Sequence, residues 1–246
     1  MASSHLDSDD EPLTLSDHAL AALAEFNAER DAQVQEFERV KAIAQAERAR
    51  DTSFSIESFT ENWGRSQFWY TDETATLLAG ELLNGTSAHT IVAFISTPSV
   101  FVAAKNLVAE KPASERPTLY LLEFDERFRV FPEFVYYDYR RPFKLPPTLK
   151  GKVDRVISDP PFLNEDCQAK VALSVSSLIK STDDVKLLMC TGERVQELVL
   201  RLYKKFGMKT TTFAPTHNRE LGNEFLCYAN FESTNWTWMN DQQGST

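Results

Sequence analysis

From residue 56 onward, short apolar segments alternate with longer segments of helical character, and this alternation constrains the fold more than any other feature. The apolar segments lie at 90–95, 118–123, 134–137, 153–158, 185–190, 209–213 and 225–231. The helical segments lie at 72–83, 99–109, 164–180 and 192–206. Near-continuous apolar strands are typical of a parallel sheet that is buried on both faces. The pattern predicts a Rossmann-like, doubly wound α/β domain with a seven-stranded, mostly parallel sheet, closed by an antiparallel strand because no helix separates the last two strands.

The first 55 residues differ in composition from the rest of the chain. They carry 12 acidic residues against 5 Lys and Arg, whereas the remaining residues carry 24 against 21. Residues 1–13 are predicted to be disordered. Residues 16–50 contain no Gly or Pro and are rich in Ala, Glu, Gln and Arg, which predicts a long helix. We therefore expect an acidic extension at 1–55 and a globular domain at 56–246.

Composition also argues against several classes of function. The nearly neutral domain at 56–246 offers no basic face, so stable binding to DNA or RNA is not expected. No apolar run reaches the roughly 18–20 residues that cross a bilayer, and the acidic N-terminus is unlike a signal peptide. The three cysteines are far apart and the four histidines are scattered, which predicts neither a disulfide framework nor a metal site.

The residues that follow each strand are the candidates for a site, because ligands of such a sheet bind at the carboxyl ends of the strands. The turn S-T-P-S at 96–99 contains no glycine, which argues against the G-x-G-x-x-G cradle of NAD-binding proteins. Ser96 and Thr97 of this turn offer hydroxyl and backbone N–H groups to a ligand, although Thr97 is equally suited to cap the next helix.

Acidic residues follow the second and third strands. Glu123 and Asp125 follow the second, and either of them is placed to accept hydrogen bonds from ribose hydroxyls. Asp138 follows the third strand and is placed to accept a hydrogen bond from an adenine amino group, with either Tyr137 or Tyr139 placed to stack on the ring. The alternative for all three carboxylates is an ordinary position in a surface turn.

The fourth strand ends in the sequence D-P-P-F. Proline cannot donate to a sheet ladder, so the strand must stop there. The carboxylate of Asp159 and the carbonyl groups held by Pro160 and Pro161 can accept hydrogen bonds from an amine, and Phe162 offers a ring face to a planar or cationic group. The turn is therefore predicted to hold an amino group.

Two further segments carry polar and aromatic residues that could complete a site. The first precedes the initial strand and contains Gln67, Phe68 and Trp69, for which core packing is the alternative. The second lies between the last two strands and contributes His217, Asn218, Asn223 and Glu224. His217 is a candidate for proton removal, although a histidine in such a loop is more often solvated.

The sequence I-S-D-P-P-F resembles the [DNS]-P-P-[YFW] motif of class I, S-adenosylmethionine-dependent methyltransferases that act on amino groups. The similarity to one eukaryotic family extends over about residues 60–232. It includes S-Q-F-W-Y-T at 66–71, I-S-T-P-S at 95–99, L-L-E-F-D-x-R-F at 121–128, C-T-G at 190–192 and N-E-F at 223–225. That family is the elongation factor 1-alpha lysine methyltransferases, once named for adenine-N6 methylation of DNA.

The resemblance implies a class I methyltransferase fold, S-adenosylmethionine as cofactor, and methylation of a lysine on translation elongation factor 1-alpha by a cytoplasmic, monomeric enzyme. It implies that residues 159–162 form the catalytic turn, with Phe162 against the substrate. In such an enzyme we expect the channel for the lysine to be lined by Phe68, His217, Asn218, Asn223 and Glu224. It places the cofactor against Gln67, Trp69, Ser96, Thr97, Glu123, Asp125, Asp138, Tyr139 and Asp159.

Two alternative functions remain open from the sequence. An adenine-N6 methyltransferase on DNA or RNA would use the same D-P-P-F turn after base flipping, but it would need a basic groove that the charge distribution does not supply. A non-catalytic scaffold that binds the cofactor is suggested by the turn without glycine and by the acidic extension.

Overall fold

The computed structural model describes part of the stretch between His18 and Ala42, residues 54–59, residue 61 and residues 67–182, 184–219, 221–222 and 224–239. Seven strands of these residues form one sheet in the order β3–β2–β1–β4–β5–β7–β6. They are β1 (Ile91–Ile95), β2 (Thr118–Glu123), β3 (Phe134–Tyr136), β4 (Arg155–Ser158), β5 (Lys186–Gly192), β6 (Lys209–Thr210) and β7 (Phe225–Ala229). Strands β1 to β5 are parallel to one another, and β7 is antiparallel to both β5 and β6. The predicted sheet is confirmed.

Helices cover both faces of the sheet, which explains why the strands are apolar on both sides. The α-helices of the domain are α1 (Asp72–Leu83), α2 (Pro98–Ala109), α3 (Glu165–Leu178) and α4 (Gln196–Leu202). Phe94 of β1 points into a core formed with α1 and α2. The next residue, Ile95, points into a second core formed with α3 and α4. The carboxyl ends of β1, β2 and β4 are therefore held between two packed layers.

Several predicted elements are shorter in the structure than in the sequence analysis, and β6 and α4 lose the largest share of their length. Strand β6 ends at Thr210 instead of residue 213, because Thr211 leaves the ladder and pairs with Trp238. Helix α4 spans Gln196–Leu202 instead of 192–206, because Gly192 is the last residue of β5 and the flanking residues form 3-10 turns. The second of these turns ends at Gly207, whose positive φ of 69° favours glycine.

The described residues between His18 and Ala42 are all helical and mostly exposed, and Val34 is 55% exposed. The Oε1 atom of Glu36 on this N-terminal helix lies 4.0 Å from the Nη1 atom of Arg127 on the domain. Residues 1–13, which were predicted to be disordered, lie outside the described residues. Within the part of the chain that the structure describes, no helix has the length and apolar character needed to cross a membrane.

Candidate active site

A cavity of about 600 Å³ opens at the carboxyl ends of β1, β2 and β4. The sequence-predicted residues that line it are Gln67, Phe68, Trp69, Ser96, Thr97, Glu123, Asp138, Tyr139, Asp159, Pro160, Pro161, Phe162 and His217. Three predicted residues, Asp125, Asn218 and Glu224, are not part of its wall, and Asn223 lies outside the described residues. The volume falls within the range of roughly 300–1,000 Å³ that is usual for small-molecule sites.

The turn after β1 adopts a conformation that glycine ordinarily supplies. Ser96 has a φ of 54°, and it is the one non-glycine residue with positive φ in the described part of the chain. Thr97 follows it at the N-cap position of α2, but its side chain makes no capping hydrogen bond. Its Oγ1 atom is buried and has no partner among the described residues. The Thr97 hydroxyl and the free N–H groups at the start of α2 are therefore available to a polar ligand in the cavity.

The two acidic residues after β2 have different roles in the structure. The Oε1 atom of Glu123 accepts hydrogen bonds from the backbone N–H groups of Phe124, at 2.8 Å, and Asp125, at 3.0 Å. Its second carboxylate oxygen has no protein partner among the described residues, and the side chain lines the cavity. Burial raises the pKa of Glu123 to about 7, with a further increase from the charge of Asp125. The free oxygen can accept hydrogen bonds from a ligand.

Asp125, in contrast, is engaged within the protein. Its Oδ2 atom accepts from the Nε2 atom of Gln67 at 2.9 Å and from the Nη2 atom of Arg127 at 2.6 Å. Its Oδ1 atom accepts from the backbone N–H of Arg127 at the start of a 3-10 turn. Burial opposes ionisation, but these hydrogen bonds and the guanidinium charge together lower the pKa of Asp125. The side chain therefore organises the wall behind Gln67.

The rim beside β3 combines a carboxylate with aromatic rings. Both oxygens of Asp138 accept from the guanidinium group of Arg140, at 2.9 and 3.0 Å, which lowers the pKa of Asp138. The same guanidinium lies 5.8 Å from the ring centre of Phe124. The ring of Tyr139 meets the ring of Phe162 edge-on, with 5.8 Å between centres. This rim can receive a flat, polar ring.

The D-P-P-F turn is fixed at both of its ends. The backbone N–H of Asp159 donates to the carbonyl of Ile95, which attaches the start of the turn to the end of β1. The carbonyl of Phe162 accepts from the Nε2 atom of Gln168 on α3, and the ring of Phe162 remains 39% exposed. Burial raises the pKa of Asp159 to about 7. The turn thus presents a half-buried carboxylate next to an exposed ring.

Gly192 explains one of the short motifs shared with the family. A Cβ atom added at this position would lie 2.7 Å from the Cδ1 atom of Leu163, the residue that follows the D-P-P-F turn. Such a distance is too short for two carbon atoms, so a side chain at position 192 would displace Leu163. The glycine of C-T-G therefore lets β5 approach the D-P-P-F turn closely.

Sequence reasoning missed Tyr70, which lies at the centre of the cavity wall. Its hydroxyl donates to the Oδ2 atom of Asp159 at 2.6 Å. Its ring centre is 4.6 Å from that of His217, and His217 lies at the same distance from the ring of Phe225. Burial lowers the pKa of His217 to about 4, so this imidazole is neutral at pH 7. The signal available in the sequence was a tyrosine next to Phe68 and Trp69 in an aromatic segment, since the hydroxyl of a buried tyrosine usually has a partner.

Trp69 anchors the segment that carries these residues. Its indole N–H donates to the carbonyl of Phe59 at 2.8 Å, and its ring meets Phe128 edge-on in the core. Asn218 is exposed, and its backbone N–H donates to the carbonyl of Trp69. Glu224 is also exposed, and its carbonyl accepts from the backbone N–H of Glu193. Among the described residues, no group of His, Cys, Asp and Glu is arranged to hold a metal ion.

Comparison with known proteins identifies the family of the chain. A family model described as "Probable N6-adenine methyltransferase" matches residues 61–233. The chain is 41% identical to Protein-lysine N-methyltransferase EFM5 of Saccharomyces cerevisiae over 91% of this chain and 94% of that protein. It is 38% identical to EEF1A lysine methyltransferase 1 of Homo sapiens, over 92% and 95% of the two chains. The chain belongs to the elongation factor 1-alpha lysine methyltransferase family.

Another relative matches a smaller part of the chain. EEF1A lysine methyltransferase 1 of Danio rerio is 45% identical over 68% of this chain and 97% of its own length. About a third of the present chain therefore lies outside that match. Among solved structures, a branched-chain polyamine synthase from Thermus thermophilus aligns with a TM-score of 0.48 and 14% identity, covering 75% of this chain and 64% of that one.

Proposed function

We propose that this protein transfers a methyl group from S-adenosylmethionine to a lysine side chain of translation elongation factor 1-alpha. The observation that carries the proposal is the position of the D-P-P-F turn. Its half-buried Asp159 carboxylate and exposed Phe162 ring face the same cavity as the free oxygen of Glu123. One wall of the cavity thus suits an amine and another suits a ribose. The names of the relatives, which specify lysine and elongation factor 1-alpha, support the choice of substrate.

The residues around the cavity fit the proposed cofactor. Glu123 would accept hydrogen bonds from the ribose hydroxyls, and Asp138 with the rings of the rim would hold the adenine. The unpartnered Thr97 hydroxyl and the start of α2 would bind the carboxylate of the methionine moiety. When bound, S-adenosylmethionine supplies an electrophilic methyl group. The carboxylates of Glu123 and Asp159, when ionised, would stabilise the positive charge of the sulfonium group.

The lysine amine must lose a proton before it can be methylated, because its ordinary pKa is near 10.4. A neighbouring carboxylate raises the pKa of an amine, so Asp159 would act in orientation and not as a strong base. It would accept an N–H bond together with the carbonyl of Pro160 and so align the nitrogen with the methyl group. Burial against Phe162 would favour the neutral amine, with the proton released to water.

The direct test is to incubate the purified full-length protein with S-adenosylmethionine labelled in its methyl group. The acceptors are translation elongation factor 1-alpha and, in separate reactions, duplex DNA and single-stranded RNA. We expect label in the protein alone, and mass spectrometry of its peptides should place the added methyl on a lysine. Label in a nucleic acid but not in the protein would instead support adenine methylation. Cofactor binding in calorimetry without label in any acceptor would instead support the non-catalytic scaffold.

We further propose that the methyltransferase unit is 56–246 and that the first 55 residues are an extension. The family model begins at residue 61, which supports a boundary near this point. Phe54 already packs on the domain, since its ring lies 5.3 Å from that of Phe131 and its backbone bonds to Asn106. A chain that begins at residue 54 should therefore keep cofactor affinity, whereas one that begins at residue 60 should be less stable.

The oligomeric state and location of the protein are also proposals. We expect a monomer in the cytoplasm, where elongation factor 1-alpha takes part in translation. The large apolar side chains exposed in the described residues are mostly scattered, apart from Phe124, Tyr136 and Phe162 near the cavity, which supports a monomer. Light scattering during size-exclusion chromatography and microscopy of a tagged full chain would test the two expectations.

A further inference from the structure

The Asp159 carboxylate has two oxygens with different surroundings. The Oδ2 atom accepts the Tyr70 hydroxyl at 2.6 Å, a short distance for a hydrogen bond between oxygens. The Oδ1 atom has no protein partner within the described part of the chain, and the residue lines the cavity. One oxygen is therefore occupied by the protein and the other is left for a ligand.

Tyr70 is held in a single position by contacts on several sides. Its ring is buried and packs at 4.6 Å from the ring of His217. Its backbone N–H donates to the hydroxyl of Ser99 on α2 at 3.3 Å. The next residue, Thr71, donates its backbone N–H to the carbonyl of Thr216. Because the ring cannot move freely, its hydroxyl determines how the carboxylate of Asp159 is turned.

The hydroxyl also affects the charge of Asp159. Burial and the charge of Glu123 both raise the pKa of Asp159, and the hydrogen bond from Tyr70 is the interaction that lowers it. Two thiols also lie near Asp159. The pKa of Cys190 on β5 is raised mainly by a hydrogen bond with Cys227, and the pKa of Cys167 on α3 is raised mainly by burial. Burial also raises the pKa of Tyr70 well above 10, so its hydroxyl keeps its proton and remains a donor.

We propose that Tyr70 is a positioning residue of the methyl-transfer reaction: its hydroxyl donates to the Oδ2 atom of Asp159 and turns the free Oδ1 atom toward the incoming amine. This inference rests on the proposed function, because the amine is the lysine of the substrate. Tyr70 acts through Asp159 and need not touch either the cofactor or the substrate. It differs in this respect from Phe162, whose exposed ring faces the substrate directly.

The test variant is Tyr70→Phe, which keeps the ring and removes the hydroxyl. The matched control is Tyr228→Phe, because Tyr228 is a buried tyrosine whose hydroxyl has no partner among the described residues. The first measurement follows the carboxyl ¹³C signal of Asp159 with pH in the full chain, and an Asp159→Asn spectrum assigns the signal. We expect the midpoint to rise by roughly one to two pH units in Tyr70→Phe, the amount that a hydrogen bond to a charged group supplies. The midpoint should not move in Tyr228→Phe.

The second measurement is the pH dependence of kcat/KM with elongation factor 1-alpha. The substrate lysine must lose a proton to react, so log kcat/KM should rise by one unit for each pH unit near neutral pH. Below the pKa of Asp159, this carboxyl must lose a proton as well, and the slope should increase to two. In Tyr70→Phe the change of slope should move to higher pH, with kcat reduced roughly 10-fold or more. The dissociation constant of S-adenosylmethionine above pH 8 should stay within about twofold of the normal value.

The two measurements separate this inference from the proposed function. An unchanged carboxyl midpoint in Tyr70→Phe would overturn the role of Tyr70, whether or not the normal protein methylates elongation factor 1-alpha. A raised midpoint without any methylation by the normal protein would preserve the hydrogen bond but reject both the lysine substrate and the positioning role built on it. A raised midpoint with the expected displacement of the slope supports both.

Discussion

Replacement of Glu123 by Gln should weaken cofactor binding while it stabilises the cofactor-free protein. The glutamine keeps an oxygen that can accept the backbone N–H groups of Phe124 and Asp125, so the turn after β2 retains its hydrogen bonds. The second oxygen, which lines the cavity, is replaced by an NH₂ group that can only donate. Two ribose hydroxyls that donate to the carboxylate would then lose their acceptor.

The size of each effect follows from the surroundings of the carboxylate. A hydrogen bond to a charged group contributes about 1.5–3 kcal/mol, so the dissociation constant of S-adenosylmethionine should increase roughly 10- to 150-fold. The pKa of Glu123 is raised from 4.5 to about 7 in the folded protein. At about 1.36 kcal/mol for each pKa unit, ionisation of Glu123 costs the folded state about 3 kcal/mol above pH 7.

The difference in stability between Glu123→Gln and the normal protein depends on pH. Because folding raises the pKa of this carboxyl, the folded protein loses stability as the pH rises from 4.5 through 7. Glu123→Gln should therefore be more stable than the normal protein at pH 8 and about equally stable at pH 4.5. Urea unfolding at the two pH values measures this difference, and calorimetry with S-adenosylmethionine at pH 8 measures the loss of affinity.

Asp125→Asn is the matched control, since Asp125 lies two residues away and is engaged with Arg127 and Gln67. Folding lowers the pKa of Asp125, so its charge stabilises the folded protein at neutral pH. The control should lower the midpoint of unfolding and change cofactor affinity by less than about threefold. If Asp125→Asn lost more affinity than Glu123→Gln, the assignment of Glu123 to the ribose would be refuted.

Three further substitutions test other parts of the site. Ser96→Gly should increase the free energy of unfolding by up to about 1 kcal/mol, because glycine adopts the positive φ of this position without strain; an unchanged or lower urea midpoint would contradict this. Asp159→Ala should reduce methyl transfer roughly 100- to 1,000-fold, and Asp159→Asn should lose less, because its amide oxygen still accepts; near-normal rates for Asp159→Ala would reject its role. Gly192→Ala should lower the unfolding free energy by about 1 kcal/mol through contact with Leu163. In the double variant with Leu163→Ala the combined loss should be smaller than the sum of the two single losses, because Leu163→Ala removes the side chain that Gly192→Ala would displace.

The sheet and the edge that carries the cavity could be predicted because they depend on local sequence patterns. Apolar segments mark the strands, and the carboxyl ends of parallel strands necessarily meet at one edge. Glu123, Asp138 and Asp159 could therefore be assigned to one site although they are far apart in the chain. The S-T-P-S turn was also recognised, but the positive φ of Ser96 could not be derived from its residue type.

The features that the sequence did not reveal depend on contacts between distant segments. Tyr70 meets Asp159 because the segment before α1 crosses the edge of the sheet, and its exact path is set by Trp69 in the core. Which of Glu123 and Asp125 can bind the ribose depends on Arg127. Its guanidinium group donates to Asp125, so the carboxylate of Glu123 is the one that remains available to a ligand. Asn218 and Glu224 were assigned from proximity in the chain, but both side chains are exposed.

The carboxyl groups of Glu123 and Asp159 also affect how tightly the cofactor is bound before and after the methyl group is transferred. Glu123 and Asp159 both have pKa values of about 7, so each is only partly ionised at neutral pH without a cationic partner. A sulfonium ligand should release protons from them when it binds, and the measured heat of binding should vary with the ionisation enthalpy of the buffer. Once the methyl group has left, the sulfur is a neutral thioether and the acids should take protons up again. We therefore expect the spent cofactor to be held less tightly than the fresh one as the pH rises above 7.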